Sequence, residues 1–140
     1  TPAMPAKISQ GVTTVVVGNC GISLAPITDI APPPPLNLLG GRDRFRFDTM
    51  VDYVAAVEDT RPAVNVAILV GHGTLRVGAM DRLDRAATGR EIGEMRAALD
   101  RSLEDGAIGF STGLAYPTAI AAPTEEVIAL ARGLKDRDGL

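Results

Sequence analysis

The sequence has one cysteine, one histidine and few aromatic residues, 4% in all. A single cysteine excludes an internal disulfide and any disulfide-scaffolded fold, and it fits a reducing, cytoplasmic compartment. Cysteine and histidine together cannot complete a metal site, since structural zinc takes four protein ligands and catalytic zinc usually three. Basic residues are in no surplus: fourteen Lys+Arg stand against seventeen Asp+Glu, a net charge of −3. Nucleic acid is thereby disfavoured as a partner. No apolar run approaches the ~20 residues of a membrane span, so a membrane role is disfavoured too. Residues Thr1 to Gln10 lack the apolar stretch of a signal peptide. What the chain does have is ordinary globular composition, 46% hydrophobic and 22% charged over 140 residues. That argues against global disorder and sets an upper bound of one domain. The chain begins without Met, from which an upstream piece is expected.

Hydrophobic patterning gives the organisation. Val12 to Val17 (V-T-T-V-V-V) is β-branched and apolar, which predicts a strand buried on both faces. Gly18-Asn19-Cys20-Gly21 ends it in a tight turn. Residues 28–47 form a Pro/Gly-rich stretch that includes four consecutive prolines from Pro32 to Pro35, expected as an extended surface loop. Asp48 or Thr49 caps a helix running to about Asp59, and Pro62 stops it. Val64 to Val70 reads as a second buried strand, ended by Gly71-His72-Gly73. Thr88-Gly89-Arg90-Glu91 is a capping box, opening a helix with Ile92, Met95, Leu99 and Leu103 on one face and Gly106 as its stop. Ala107 to Phe110 is a third strand. Thr124 caps a last helix, with Glu125 and Glu126 in the first turn where the helix dipole favours them. Short apolar strands alternating with amphipathic helices predict an α/β fold with parallel βα units. In such folds the working residues lie at the carboxyl ends of strands. Cys20, His72, Ser111 and Tyr116 all fall there.

Each of these residues has an ordinary reading beside a functional one. Cys20 is either a metal-ligating or nucleophilic thiolate or a small buried hydrophobe. His72 is either a ligand contact or a structural histidine. Gly109-Phe110-Ser111-Thr112-Gly113 matches G-x-S-x-G, the nucleophile elbow of serine hydrolases. Pro117 and Pro123 delay the following helix, however, and His72 precedes Ser111 where an elbow enzyme needs a later histidine. Tyr116 is either a hydroxyl presented to a ligand or a half-buried loop anchor.

Three blocks, in order, resemble one family. G-V-T-T-V-V-V-G-N-C-G-I-S-L-A-P (Gly11 to Pro26), N-V-A-I-L-V-G-H-G-T-L-R (Asn65 to Arg76) and G-A-I-G-F-S-T-G-L-A-Y-P (Gly106 to Pro117) are similar to the N-acyl-D-amino-acid deacylases, the D-aminoacylases of the amidohydrolase superfamily. The resemblance runs from about Pro5 to Leu140 and is weakest from Pro32 to Asp48. It implies that residues 1–140 are part of a (β/α)8 TIM-like catalytic barrel, approximately strands two to four, with residues 28–47 as a loop within it. It also implies a site with one or two zinc ions and hydrolysis of N-acyl-D-amino acids to a D-amino acid and a carboxylate. Cys20 occupies the place of the family's metal-ligating cysteine, and Tyr116 that of a substrate contact. His72 lies in a motif at the rim, as a substrate contact or a support for the site, and Ser111 would border the substrate.

The departures are equally specific. The superfamily's His-x-His pair, its later histidines and its catalytic aspartate are absent, so the general base and most ligands are expected outside this segment. The resemblance thus implies an internal segment that is inactive by itself. A truncated barrel leaves open sheet edges, which invite self-association. Two other readings stand beside that of a segment: an autonomous, non-catalytic βα module serving in assembly or binding, and a serine hydrolase using Ser111.

Overall fold

The computed structural model of the chain describes residues 2–137 and 139–140. Its centre is a parallel sheet of three strands, β1 (Thr14–Val17), β4 (Asn65–Gly71) and β5 (Gly109–Ser111), in the spatial order β1-β4-β5. Val17 lies opposite Ile68, and Val70 opposite Phe110. Side chains alternate across a strand. Val17, Val66, Ile68, Val70 and Phe110 therefore share one face, and they pack with Met50, Leu75, Met95, Leu99 and Leu130 into the main core. Those core partners come from α2 (Met50–Asp59), α3 (His72–Ala79), α4 (Gly89–Glu104) and α5 (Thr124–Ala131). A four-residue turn of helix, α1 (Pro5–Ile8), precedes the sheet.

The expectation that the first strand is buried on both faces is corrected. Thr14 is exposed, and Val16 keeps 45% of its surface open. The helical core covers one face of the sheet, and Val16 lies on the other with Ala67, its register partner. Beyond β5, the backbone of Leu140 continues the ladder: Phe110 N donates to Leu140 O (2.8 Å) and Leu140 N donates to Ile108 O (3.0 Å).

Local signals place most helices. Thr49 Oγ1 accepts from Asp52 N at the start of α2. Both halves of the Thr88/Glu91 capping box are present, and Gly106, at φ +109, follows α4. The last helix starts differently from its expectation. Pro123 is its N-cap, without a side-chain cap bond, and Thr124 is the first helical residue. Pro suits such a boundary because its fixed φ and missing N–H cost nothing there.

Two features depart further from the sequence reading. Residues 28–47 are more than an extended surface loop. They hold two 3-10 turns (Leu36–Leu39 and Arg42–Arg44), and Ile27 and Thr28 (β2) pair antiparallel with Phe47 and Arg46 (β3). Leu36 and Phe45 bury with Ile27 into a satellite core, so apolar burial organises what proline alone would have left extended. The second departure is α3, which begins at His72 immediately after β4. Among the described residues, no helix is long and apolar enough to cross a membrane.

Candidate active site at the carboxyl end of the sheet

The turn after β1 has an unusual backbone. Gly18 (φ +83), Cys20 (φ +58) and Gly21 (φ +75) all lie in the left-handed region. Glycine reaches this region freely, but cysteine does so at a cost of order 1–3 kcal/mol, which neighbouring structure has to offset. That structure comes from the end of β5. The Ser111 hydroxyl donates to Gly18 O and accepts from Gly21 N (3.0 Å), joining the two ends of the turn. The turn itself closes with Asn19 Nδ2 donating to Val16 O (2.8 Å) and Ile22 N donating to Asn19 O (3.2 Å).

The segment after Ser111 rests on the same turn. A Cβ built on Gly113 would lie 2.2 Å from Cys20 O and 2.7 Å from Tyr116 Cδ2. Only a residue without a side chain lets the Cys20 backbone and the Tyr116 ring both lie this close to Gly113. Tyr116, half-buried, is held over Gly113 by its own N–H, which donates to Gly113 O (3.1 Å). The segment after β4 joins from the other side, where Gly73 N donates to Gly21 O (2.8 Å). Cys20, Ser111 and Tyr116 are thus gathered at one rim, with the Cys20 residue exposed. An open groove of about 390 Å³ lies among Ile8, Val12, Thr13 and Asn65, at the amino ends of β1 and β4 and away from this rim.

His72 is not at the rim surface. It is fully buried, and its Nε2 lies 2.9 Å from Glu126 Oε1. Its ring centroid is 5.7 Å from that of Phe110. The structure thus places His72 inside the fold, behind the rim that carries Cys20. Burial pushes the imidazole below its ordinary value, the bond to Glu126 opposes that, and the Arg76 charge adds to it. A neutral imidazole facing a carboxylate carries its proton on Nε2. Its Nδ1 is then bare, and it has no hydrogen-bond partner among the described residues.

The same pocket holds two residues that sequence reasoning missed. Arg76, fully buried on α3, donates from Nε to Thr118 O (2.7 Å) and from Nη2 to Arg85 O (2.7 Å) and Leu83 O (3.2 Å). Its Nη1 donates to Glu126 Oε1. Glu126 Oε2 accepts from Ala87 N (3.1 Å). Burial alone would raise the Glu126 carboxyl, but Arg76, the Ala87 N–H and His72 together hold it below its ordinary value. The early position of Glu126 in α5 suggested only a dipole contact, and no local pattern marks Arg76 as its partner.

Serine-nucleophile chemistry is not what this arrangement supports. The Ser111 proton is committed to a backbone carbonyl, and the imidazole that would serve as its base is occupied by Glu126. Nor does Ser111 open a helix, since α5 begins only at Thr124. Metal binding through Cys20 does fit the donor chemistry, because an exposed thiolate at a strand's carboxyl end is a strong ligand for zinc. Among the described residues, no group of three or more His, Cys, Asp or Glu could hold a metal ion.

No family model matches the chain. It is 54% identical over 138 residues to an N-acyl-D-aspartate deacylase of Alcaligenes xylosoxydans xylosoxydans, covering 99% of this chain. This chain matches a segment of the N-acyl-D-amino-acid deacylase family. Among solved structures, a D-aminoacylase described as defining a novel subset of amidohydrolases superposes with a TM-score of 0.93 at 53% identity, over 99% of this chain and 29% of that one. An N-acyl-D-glutamate deacylase from Bordetella bronchiseptica, complexed with zinc and a phosphonate mimic of the tetrahedral intermediate, gives 0.87 at 45% identity, over 100% of this chain and 29% of that one. The chain spans about 28% of the length of the aspartate deacylase.

Proposed function

We propose that the protein carrying this chain is a zinc-dependent amidohydrolase that converts N-acyl-D-amino acids to a D-amino acid and a carboxylate. The parallel βα units then form approximately strands two to four of a (β/α)8 barrel, and the open sheet face bearing Val16 turns toward the barrel interior. The observation that carries the reading is the exposed Cys20 thiol at the end of β1, beside Tyr116 and pinned by β5. Bound zinc supplies Lewis-acid polarisation of the acyl carbonyl and a water of lowered pKa. Cys20 contributes one thiolate to hold that ion. Tyr116 borders the substrate and restricts how its acyl group lies. His72, Arg76 and Glu126 hold α3 and α5 against each other behind the rim. The remaining ligands and the carboxylate that moves the proton come from outside these 140 residues. An exposed free thiol suits a reducing, cytoplasmic setting.

The test uses the full-length protein, assayed on N-acetylated D- and L-amino acids, including aspartate and glutamate, with zinc measured per chain. The expected result is hydrolysis of D-substrates only, with C20A losing zinc and activity together. The 140-residue chain assayed in parallel should show none. Zinc-dependent hydrolysis by that chain alone, or full zinc occupancy and activity in C20A, would refute the assignment.

A further inference from the structure

We propose that Ser111 is the positioning residue for Cys20. This rests on the reading of Cys20 as a metal ligand and extends it to a residue that touches neither metal nor substrate. Ser111 is 90 residues from the turn it holds, yet its single hydroxyl meets the turn at both ends, accepting from Gly21 N (3.0 Å) and donating to Gly18 O. Cys20 lies between those two contacts, in a left-handed conformation that cysteine does not favour (φ +58). The hydroxyl has one proton to give, and that proton is used. A second contact from the same strand end reinforces the first, since Gly113 lies against the Cys20 carbonyl. No other side chain hydrogen bond reaches Gly18, Cys20 or Gly21 among the described residues.

The consequence is directional. A thiolate ligates well only when its Cβ is aimed by the backbone, and that aim is set here by a turn in which Gly18, Cys20 and Gly21 all have positive φ. Removing the Ser111 hydroxyl leaves Gly18 O and Gly21 N–H to find water and frees the Cys20 backbone from its left-handed well. Groups that orient a metal ligand typically alter metal affinity by about 10- to 100-fold when lost. A serine acting as nucleophile or substrate contact would instead change turnover or substrate binding while the metal stayed in place.

The experiment compares wild type, S111A and S111T in the full-length protein, with S111G taking the place of S111A should the latter not fold. In metal-free protein, amide exchange at Gly21 is measured. In cobalt-substituted protein, the thiolate-to-cobalt charge-transfer band is recorded, and zinc affinity is determined by chelator competition. The expected results for S111A are faster exchange at Gly21, a shifted or weakened band, and zinc binding about 10- to 100-fold weaker. S111T, which keeps the hydroxyl, restores all three toward wild type. A band and affinity unchanged in S111A, where wild type shows the band, overturn the role of Ser111 alone. Absence of the band in wild type overturns the ligand reading of Cys20, and the positioning role with it.

Discussion

Replacing Glu126 with glutamine tests the buried cluster most directly. Glu126→Gln preserves shape and removes one negative charge. Arg76 would remain fully buried, with three backbone carbonyls but no counter-charge. Breaking a buried ion pair by removing one partner costs about 3–5 kcal/mol, because the survivor is left unneutralised. The amide can still accept from Arg76 or His72, but its NH2 is a mismatch for the Ala87 N–H, which adds about 1 kcal/mol. Against a typical domain stability of ~5–15 kcal/mol, this single change removes roughly a quarter or more. Arg76→Met should cost as much, for the converse reason. The double variant R76M/E126Q removes both charges at once. It still leaves the carbonyls of Thr118, Leu83 and Arg85 without the guanidinium, so it will not be neutral. It should nevertheless fall short of the summed single penalties by at least ~2 kcal/mol. Urea unfolding of the full-length protein, with amide exchange in α3 and α5 as the local readout, measures the cycle. An E126Q protein within ~1 kcal/mol of wild type, or strictly additive single and double variants, would refute the argument that these charges hold the two helices together.

Two further outcomes follow from the same structure. The folded His72 imidazole stays neutral below its ordinary value of 6.5, so between that value and its folded one the unfolded chain binds the extra proton. Stability should therefore fall as pH drops below ~6.5, by up to ~1.4 kcal/mol per pH unit, and H72Q should lose this slope relative to wild type in urea midpoints between pH 5.5 and 7.5. The Glu126 contribution behaves separately: its stabilisation is present above the ordinary 4.5 and is lost at lower pH, through its folded value. Glycine substitutions should differ in sign by position. Gly18→Ala puts a Cβ 2.1 Å from Leu69 O at φ +83 and should cost roughly 2 kcal/mol or more, whereas Gly93→Ala, on the exposed side of α4 with nothing within 4 Å, should stabilise by about 0.5–1 kcal/mol, both read from unfolding midpoints.

The legible parts of the fold were those written locally. Thr49 and Thr88 cap the helices their spacing marks, and the β-branched runs become parallel strands, because capping and strand preference act within a few residues. Helix α3 was illegible for the opposite reason. Its sequence, H-G-T-L-R-V-G-A, carries two glycines and β-branched residues, all poor helix formers. It is helical because distant groups hold it: Thr74 exchanges hydrogen bonds with Ser23 (2.8 and 3.0 Å), and Arg76 reaches residues from Leu83 to Glu126. The satellite core of residues 27–45 was hidden likewise, since Leu36 and Phe45 meet Ile27 only after the chain has turned back on itself.

The site divides along the same line. Position at strand ends put Cys20, Ser111 and Tyr116 on one rim, and the structure joins those three. What position could not say is what the glycines beside them do. Gly113 gives its missing side chain to the Cys20 carbonyl, and Gly71 gives its own to Gly21, where a Cβ would lie 2.6 Å from the carbonyl oxygen. The space is taken by backbone. In a rim built by loops locked onto one another, His72 turns inward to Glu126, and Ser111 spends its hydroxyl on the turn that presents the thiol. On the reading proposed above, the serine most easily mistaken for a nucleophile is the one that holds the Cys20 turn at both ends.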